Sequence, residues 1–279
     1  MFITEIYRIV FAQPKKSEFN DCLNMAIESL KFQPNTNLVM ACFITGVHDV
    51  NRNTTLLDDS AALVQDWAAS VTAANLKGII FHNNLSEATC NALQNNSISF
   101  IKIEYDPQYN PNVFRYFVYL NFIQQHLEQL AGIFITDVSD VVLLNNPFTD
   151  PLFIANPAML FCGDEPKLLH NEWMIAHSEN LRNNIPDYAA YENTFAAQTL
   201  LNCGIIGASA ALIFDFLQKL CAIHQNANRD NKTAYTGDMG AFNYLVRTQF
   251  NHQLKHGAPV NTVFKMYETE RNDCWFRHK

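Results

Sequence analysis

Two carboxylates stand between two apolar runs in residues 132–148, GIFITDVSDVVLLNNPF. Ile133, Phe134 and Ile135 lead into Asp137 and Asp140, and Val141 to Leu144 follow at once. An ionised carboxylate taken out of water is costly unless it is paired or metal-bound. Two of them this close repel unless a cation lies between them. Hard oxygen ligands suit Mg²⁺ or Mn²⁺, ions that commonly also hold substrate phosphates. The alternative is that Asp137 caps a turn while Asp140 faces solvent.

Strand-like and helix-like segments alternate around this pair. LVMACFITG (38–46) reads as a buried strand. Residues 57–76 carry Leu57, Ala61, Leu63, Val64, Trp67, Ala68 and Val71 at helical spacing, with Asp58 and Asp59 in the first turn. KGIIFHN (77–83) is strand-like, LSEATCNALQN (85–95) is a helix opened by a Ser-x-x-Thr turn, and SFIKIEY (99–105) alternates as a strand does. A long amphipathic helix over 112–130 precedes the strand GIFIT (132–136). This rhythm predicts an α/β fold with a mainly parallel sheet covered by helices on both faces. Ligands of such sheets bind beyond the carboxyl ends of the strands, where Asp137 and Asp140 fall.

The second half is less regular. AMLFCG (158–163) and NCGIIGA (202–208) read as strands, and residues 208–226 and 237–250 as helices. Residues 164–200 suggest loops and short helices, and 251–279 has little periodicity. With no repeat, low-complexity tract or linker, the expectation is one domain over 1–279. Residues 1–37 would be a lead-in containing a helix at 15–32.

Composition narrows the function classes. Of 279 residues, 48% are hydrophobic, enough for a sizeable core. Lys and Arg total 19 against 27 Asp and Glu, a formal charge of -8. An acidic chain with no basic cluster is a poor nucleic-acid binder, since that affinity comes mainly from phosphate contacts. Seven scattered cysteines with no CxxC read as buried free thiols of a reducing compartment. No stretch has the roughly 20 apolar residues of a membrane helix, and no signal peptide stands out. A cytoplasmic protein with no transmembrane segment is expected.

The segment ITDVSDVVLLNNPF resembles the metal-binding segment of GT-A-fold glycosyltransferases, whose Asp-x-Asp-type motif follows a sheet strand; here the spacing is Asp-x-x-Asp. The resemblance implies that Asp140 is a ligand of Mn²⁺ or Mg²⁺, with Asp137 a ligand through water or a contact to the donor ribose or sugar. Other segments are similar in chain order. CFITGVHDVNRN (42–53) makes Thr45, Asp49 and Arg52 nucleotide-binding candidates, against an ordinary strand-to-loop turn. NPNVFRYFVYLNFI resembles an Asn-Asp-x-Arg-Tyr element with Val113 at the acidic position, and offers Arg115 to the diphosphate, against a salt-bridged helix arginine. Tyr116 and Tyr119 read as packing residues. NCGIIG (202–207) resembles an Asn-x-Gly-x-x-Gly stretch near donor and acceptor, which implicates Asn202. In TGDMGAF, Asp238 is either a helix cap or an acceptor-binding or catalytic carboxylate.

The C-terminal HGAPVNTVF and WFRHK resemble elements that close over the donor. They put His278, and secondarily His256, forward as a third metal ligand, with Arg277 and Lys279 as cations for the leaving diphosphate. Trp275 either closes over the site or anchors the tail. Asp164 and Glu165 are a solvated loop pair or touch sugar. The implied reaction moves a hexosyl group from a nucleotide-diphosphate sugar to a carbohydrate or other hydroxyl acceptor, with Asp238 as base if the configuration inverts. Two alternatives stay open: a transferase-like binding module without catalysis, and a phosphatase, which needs a second Asp where Ser139 stands.

Overall fold

The computed structural model describes residues 30–49, 54–56, 59–227 and 237–279. β1 (Thr36–Phe43) is followed by the two-residue strands β2 (His48–Asp49) and β3 (Thr54–Thr55), which pair antiparallel. Three helix–strand units come next: α1 (Gln65–Ala73) and β4 (Lys77–His82), α2 (Glu87–Leu93) and β5 (Ile98–Lys102), α3 (Pro111–His126) and β6 (Leu130–Thr136). The chain continues through β7 (Val141–Leu143), α4 (Pro151–Ile154) and β8 (Leu160–Leu168). Three short helices follow, α5 (Glu172–His177), α6 (Glu179–Asn184) and α7 (Tyr188–Phe195). The last elements are β9 (Thr199–Ser209), α8 (Ala210–Ala227), α9 (Asp238–Leu245), β10 (Leu254–His256) and β11 (Phe276–His278).

The main sheet has the order β10-β8-β9-β6-β1-β4-β5. β1 lies parallel to β4 and β6, β4 to β5, and β8 to β10. β9 alone runs antiparallel to its neighbours β6 and β8. Alternate residues of β1 point to opposite faces. Leu38 and Met40 enter the core formed with Tyr116, Phe122, Phe216 and Leu217 of α3 and α8, whereas Val39 and Ala41 enter the core with Trp67 and Val71 of α1. Each fully buried Phe or Leu here contributes about 1.5–3 kcal/mol relative to its exposed state. The helices stop where local chemistry makes them. Asn75, at φ 56°, ends α1, with Leu76 N–H donating to Val71 O and Asn75 N–H to Thr72 O. Ser86 Oγ accepts from Thr89 N–H at the start of α2, and Asn110 Oδ1 from Asn112 N–H before Pro111 opens α3.

Several expectations need correction. Residues 30–32 are not helical, and the rest of the helix expected at 15–32 lies outside the described residues. The segment expected as one helix over 57–76 is a 3₁₀ turn at Ala61–Leu63 followed by α1, since the break at Val64 separates them. Asp164 and Glu165 belong to β8 rather than to a loop, with Glu165 buried. The helix expected over 237–250 is α9 followed by a π turn at Val246–Phe250. The aperiodic tail contains two short strands whose partners are distant in sequence, β8 for β10 and β7 for β11. The short helices expected over 164–200 are present as α5, α6 and α7. Among the described residues, no helix is long and apolar enough to cross a membrane.

His82 and His224 are buried, and burial pushes both imidazoles down to about 4, aided by Lys102 at His82 and by Arg115 at His224. Both are therefore neutral in the native state at pH 7, while in the unfolded chain they take a proton near 6.5. Between those values the unfolded state binds more protons. Stability present above pH ~6.5 is therefore expected to fall as the pH drops toward 4, by up to about 1.4 kcal/mol per pH unit for each imidazole. Urea unfolding at a series of pH values checks this. A flat profile from pH 7 to 5 would contradict the buried neutral state.

Candidate functional site

The loop 137–140 joins two different sheets. Asp137 follows the last residue of β6, and its N–H donates to Gly204 O of β9 at 2.8 Å. Asp140 immediately precedes β7, which pairs antiparallel with β11 in the register Leu143–Phe276, Val142–Arg277, Val141–His278. That register continues into the loop, where Lys279 N–H donates to Asp140 O at 2.8 Å. The second apolar run is thus buried against the chain's own tail, and the carboxylates sit where the chain passes from one sheet to the other.

This pairing brings a histidine to the acids. One donor atom each from Asp137, Asp140 and His278 lies within 4.8 Å of the others. His278 is buried, with its backbone N–H on Thr262 Oγ1 and its ring edge-on to Phe264 at 4.5 Å. Burial pushes the imidazole down to about 4, despite the opposing pull of Asp137, so its lone pair is free at neutral pH. Its Nδ1 is buried and has no hydrogen-bond partner among the described residues. Two carboxylates and a neutral imidazole are a donor set that fits Mn²⁺ or Mg²⁺. Backbone space supports the fit: a Cβ on Gly204 would lie 2.6 Å from both Asp137 Oδ2 and His278 Cε1. Only glycine lets β9 pass beneath the cluster. Gly207, the other glycine of NCGIIG, has a different task, since a Cβ there would meet the Phe134 ring at 2.2 Å.

The cluster opens on a cleft of about 680 Å³ at the carboxyl end of the parallel strands. Arg115 lies on its floor, buried, bonded through one guanidinium nitrogen to Asp137 Oδ1 and 4.0 Å from Asp238 Oδ2 through another. The salt-bridged reading of Arg115 therefore describes its position. It is an intramolecular cation between two carboxylates, in the same cleft as the acidic cluster. Asp238 is the first residue of α9, after Gly237 in the left-handed region (φ 70°). The cap position itself is held by Gly237, which has no side chain. Asp238 is buried and meets His177 Nε2 at 2.9 Å and Cys203 Sγ at 3.6 Å. Asn202 donates to Glu165 Oε1 at 2.9 Å and accepts from Gly204 N–H at 2.7 Å, so both polar side chains line the cleft already oriented.

Other expected residues fall less centrally. Thr45 is buried beyond β1, its backbone N–H and C=O both bonded to the Asn83 amide. Asp49 is in β2, paired with Thr54, and Arg52 lies outside the described residues. Lys279 borders the cleft with Nζ 3.1 Å from the exposed Asp66. His256 pairs with Asp164 at 2.8 Å and is not in the acidic cluster. Arg277 donates to Thr269 O and Arg271 O. Trp275 anchors the tail: it is buried among Phe134, Phe153 and Phe161, and its Nε1–H donates to Asp150 Oδ2. Two thiols, Cys42 and Cys203, line the cleft, but burial pushes the first up to about 12 and the second far above its ordinary range. Neither is a thiolate nucleophile at neutral pH.

The sequence reading missed His177 and Trp173. They stand four apart on α5, hence on one face, and their rings stack at 4.2 Å and 22°. That spacing was a visible signal, but the His–Asp238 contact joins positions 61 apart in sequence.

No family model and no curated protein sequence matches the chain. Solved structures match in fold. A crystal structure of an active-site mutant of LgtC superposes with a TM-score of 0.50 at 13% identity, over 87% of this chain and 86% of that one. A crystal structure of the galactosyltransferase LgtC in complex with donor and acceptor sugar analogues is 14% identical, with a TM-score of 0.48 over 87% and 86%. The α/β architecture, with its mostly parallel sheet flanked by helices, is similar to that of the GT-A-fold LgtC.

Arg115 joins two carboxylates of this cleft, so Arg115→Ala is expected to lower unfolding free energy by about 3 kcal/mol by leaving them without their cation. Chemical denaturation measures it. A loss below about 1 kcal/mol would mean that solvent screens the pair as it does an exposed one.

Proposed function

We propose that this protein is a glycosyltransferase that moves a hexosyl group from a nucleotide-diphosphate sugar to the hydroxyl of a carbohydrate or other acceptor, assisted by Mn²⁺ or Mg²⁺. The observation that carries this reading is the convergence of Asp137, Asp140 and His278 at the rim of the cleft on a GT-A-like sheet. These three residues would hold the ion, whose charge would offset the negative charge that develops on the departing diphosphate. Lys279 and Lys265, also on the cleft, supply further positive charge for the same group. Arg115 fixes the orientation of Asp137 from behind.

Asp238 is the candidate acceptor carboxylate. Inversion at the sugar would require it to take the acceptor hydroxyl's proton. Retention would leave it to orient the acceptor by a hydrogen bond. Thr45, Asp49, Arg52 and Asn202 remain candidates for the donor nucleotide and sugar. A phosphatase of the Asp-x-Asp type would need a second carboxylate at position 139, where Ser139 stands. We place the protein in the cytoplasm on the free thiols of Cys42, Cys90, Cys162, Cys203, Cys221 and Cys274.

Thermal melting against UDP-, GDP- and CDP-sugars, with and without Mn²⁺, tests the reading, because a ligand that binds the native state raises its melting temperature. One nucleotide class is expected to raise it only when Mn²⁺ is present, and Asp140→Ala is expected to abolish both that shift and metal-dependent donor hydrolysis. A nucleotide shift with no hydrolysis in the unmodified protein would favour a binding module that has lost catalysis. No shift with any nucleotide would remove the donor from the account.

A further inference from the structure

We infer that Trp173 is the platform on which a pyranose ring of the acceptor stacks, so that the acceptor is a saccharide rather than a simple alcohol or a protein hydroxyl. The inference deepens the glycosyltransferase reading and rests on it for the word acceptor; the stacking itself stands on separate observations. Trp67 and Trp275 are 1% exposed, whereas Trp173 is 40% exposed and borders the cleft. A large aromatic side chain left open on a cleft wall is an unused apolar face. This one is also held rigid. His177, buried, lies against the indole with ring centroids 4.2 Å apart, and its Nε2 is fixed 2.9 Å from Asp238. α5 itself is capped by Asn171 Oδ1, which accepts from Met174 N–H. A platform held before binding loses little conformational entropy when a ligand lands on it.

The chemistry of the neighbouring wall selects the occupant. Asp238, Glu165 and Asn202 line the same cleft. Carboxylates accept hydrogen bonds from hydroxyls and repel phosphates. A pyranose presents an apolar face of axial C–H bonds and a rim of hydroxyls, which matches a flat indole beside fixed acceptors. A nucleoside diphosphate on the indole would bring its charge toward Asp238, which His177 links to Trp173, whereas His278, Lys265 and Lys279 elsewhere on the cleft lining suit that charge better. Trp173 also connects, through His177, to the carboxylate assigned to the acceptor hydroxyl. An acceptor seated on the indole is therefore coupled to the position of Asp238.

The test follows quenching of Trp173 by acrylamide, a neutral quencher that reaches the exposed indole and not the two buried ones. The protein is loaded with Mn²⁺ and, in separate arms, UDP, GDP or CDP, and then titrated with lactose, maltose and cellobiose, with sorbitol as control. At least one disaccharide is expected to protect Trp173, and sorbitol and the nucleotides alone are not. Saturation-transfer NMR with that disaccharide is expected to show affinity at least about fivefold weaker in Trp173→Ala, with Trp173→Phe between the two. Mn²⁺ affinity is expected to be equal in all three proteins, which shows that the variants are folded. Protection by a nucleotide alone would assign the platform to the base instead and overturn the proposal. So would the absence of protection by every disaccharide, or unchanged saccharide affinity in Trp173→Ala. If a disaccharide protects Trp173 while no nucleotide binds at all, the saccharide platform survives and the transferase reading fails.

Discussion

The pairing of β11 with β7 is the constraint on which the rest of the site depends. It buries Val141 and Leu143 against Phe276 and brings His278 beside Asp137 and Asp140. The energy that holds this ribbon is remote from the acids. Trp275 fills an aromatic cluster with Phe134, Phe153 and Phe161, its backbone N–H donates to Pro259 O, and its carbonyl accepts from Leu144 and Asn145 N–H. A segment with little periodicity in its sequence is thereby fixed at His278. The same ribbon explains why two acids separate two apolar runs: each run is buried in a different sheet, and the acids occupy the passage between them.

A second layer of charge sets the acids' geometry. Arg115 lies between Asp137 and Asp238, and behind it Tyr116 stacks on the buried ring of His224 at 5.9 Å. His177 holds Asp238 from the other side. These groups are buried beneath the cleft, and the lower effective dielectric there strengthens each remaining interaction. The cleft therefore offers a neutral imidazole and lysines as well as fixed carboxylates and an exposed indole. The first set suits an anionic leaving group, and the second a neutral, hydroxyl-rich acceptor.

Much of this was legible in the sequence because it is local. The strands β1, β4 and β6 are short apolar runs with clear ends, and Ser86 and Asn110 cap helices as their types predict. Asp137 and Asp140 were visible as charges where a buried run should continue. What could not be read is set by distant partners. β9 resembles its parallel neighbours in composition, yet it runs antiparallel, and nothing within its residues fixes that direction. Glu165 looked like a solvated loop residue because its bond to Asn202 spans 37 positions. Trp275 was ambiguous between closing the site and anchoring the tail until its aromatic neighbours were known. Gly204 and Gly207 read as one motif, but the first clears space for a carboxylate and an imidazole while the second clears space for a phenyl ring.

The central claim is that Asp137, Asp140 and His278 together grip one divalent ion. Pulsed electron paramagnetic resonance of the Mn²⁺-loaded protein tests it most directly, because nitrogen directly coordinated to the ion modulates the echo. The account predicts a single imidazole coupling that disappears in His278→Gln and persists in His256→Gln. A spectrum of hexaaquo Mn²⁺, or a coupling that survives the loss of His278, would contradict it.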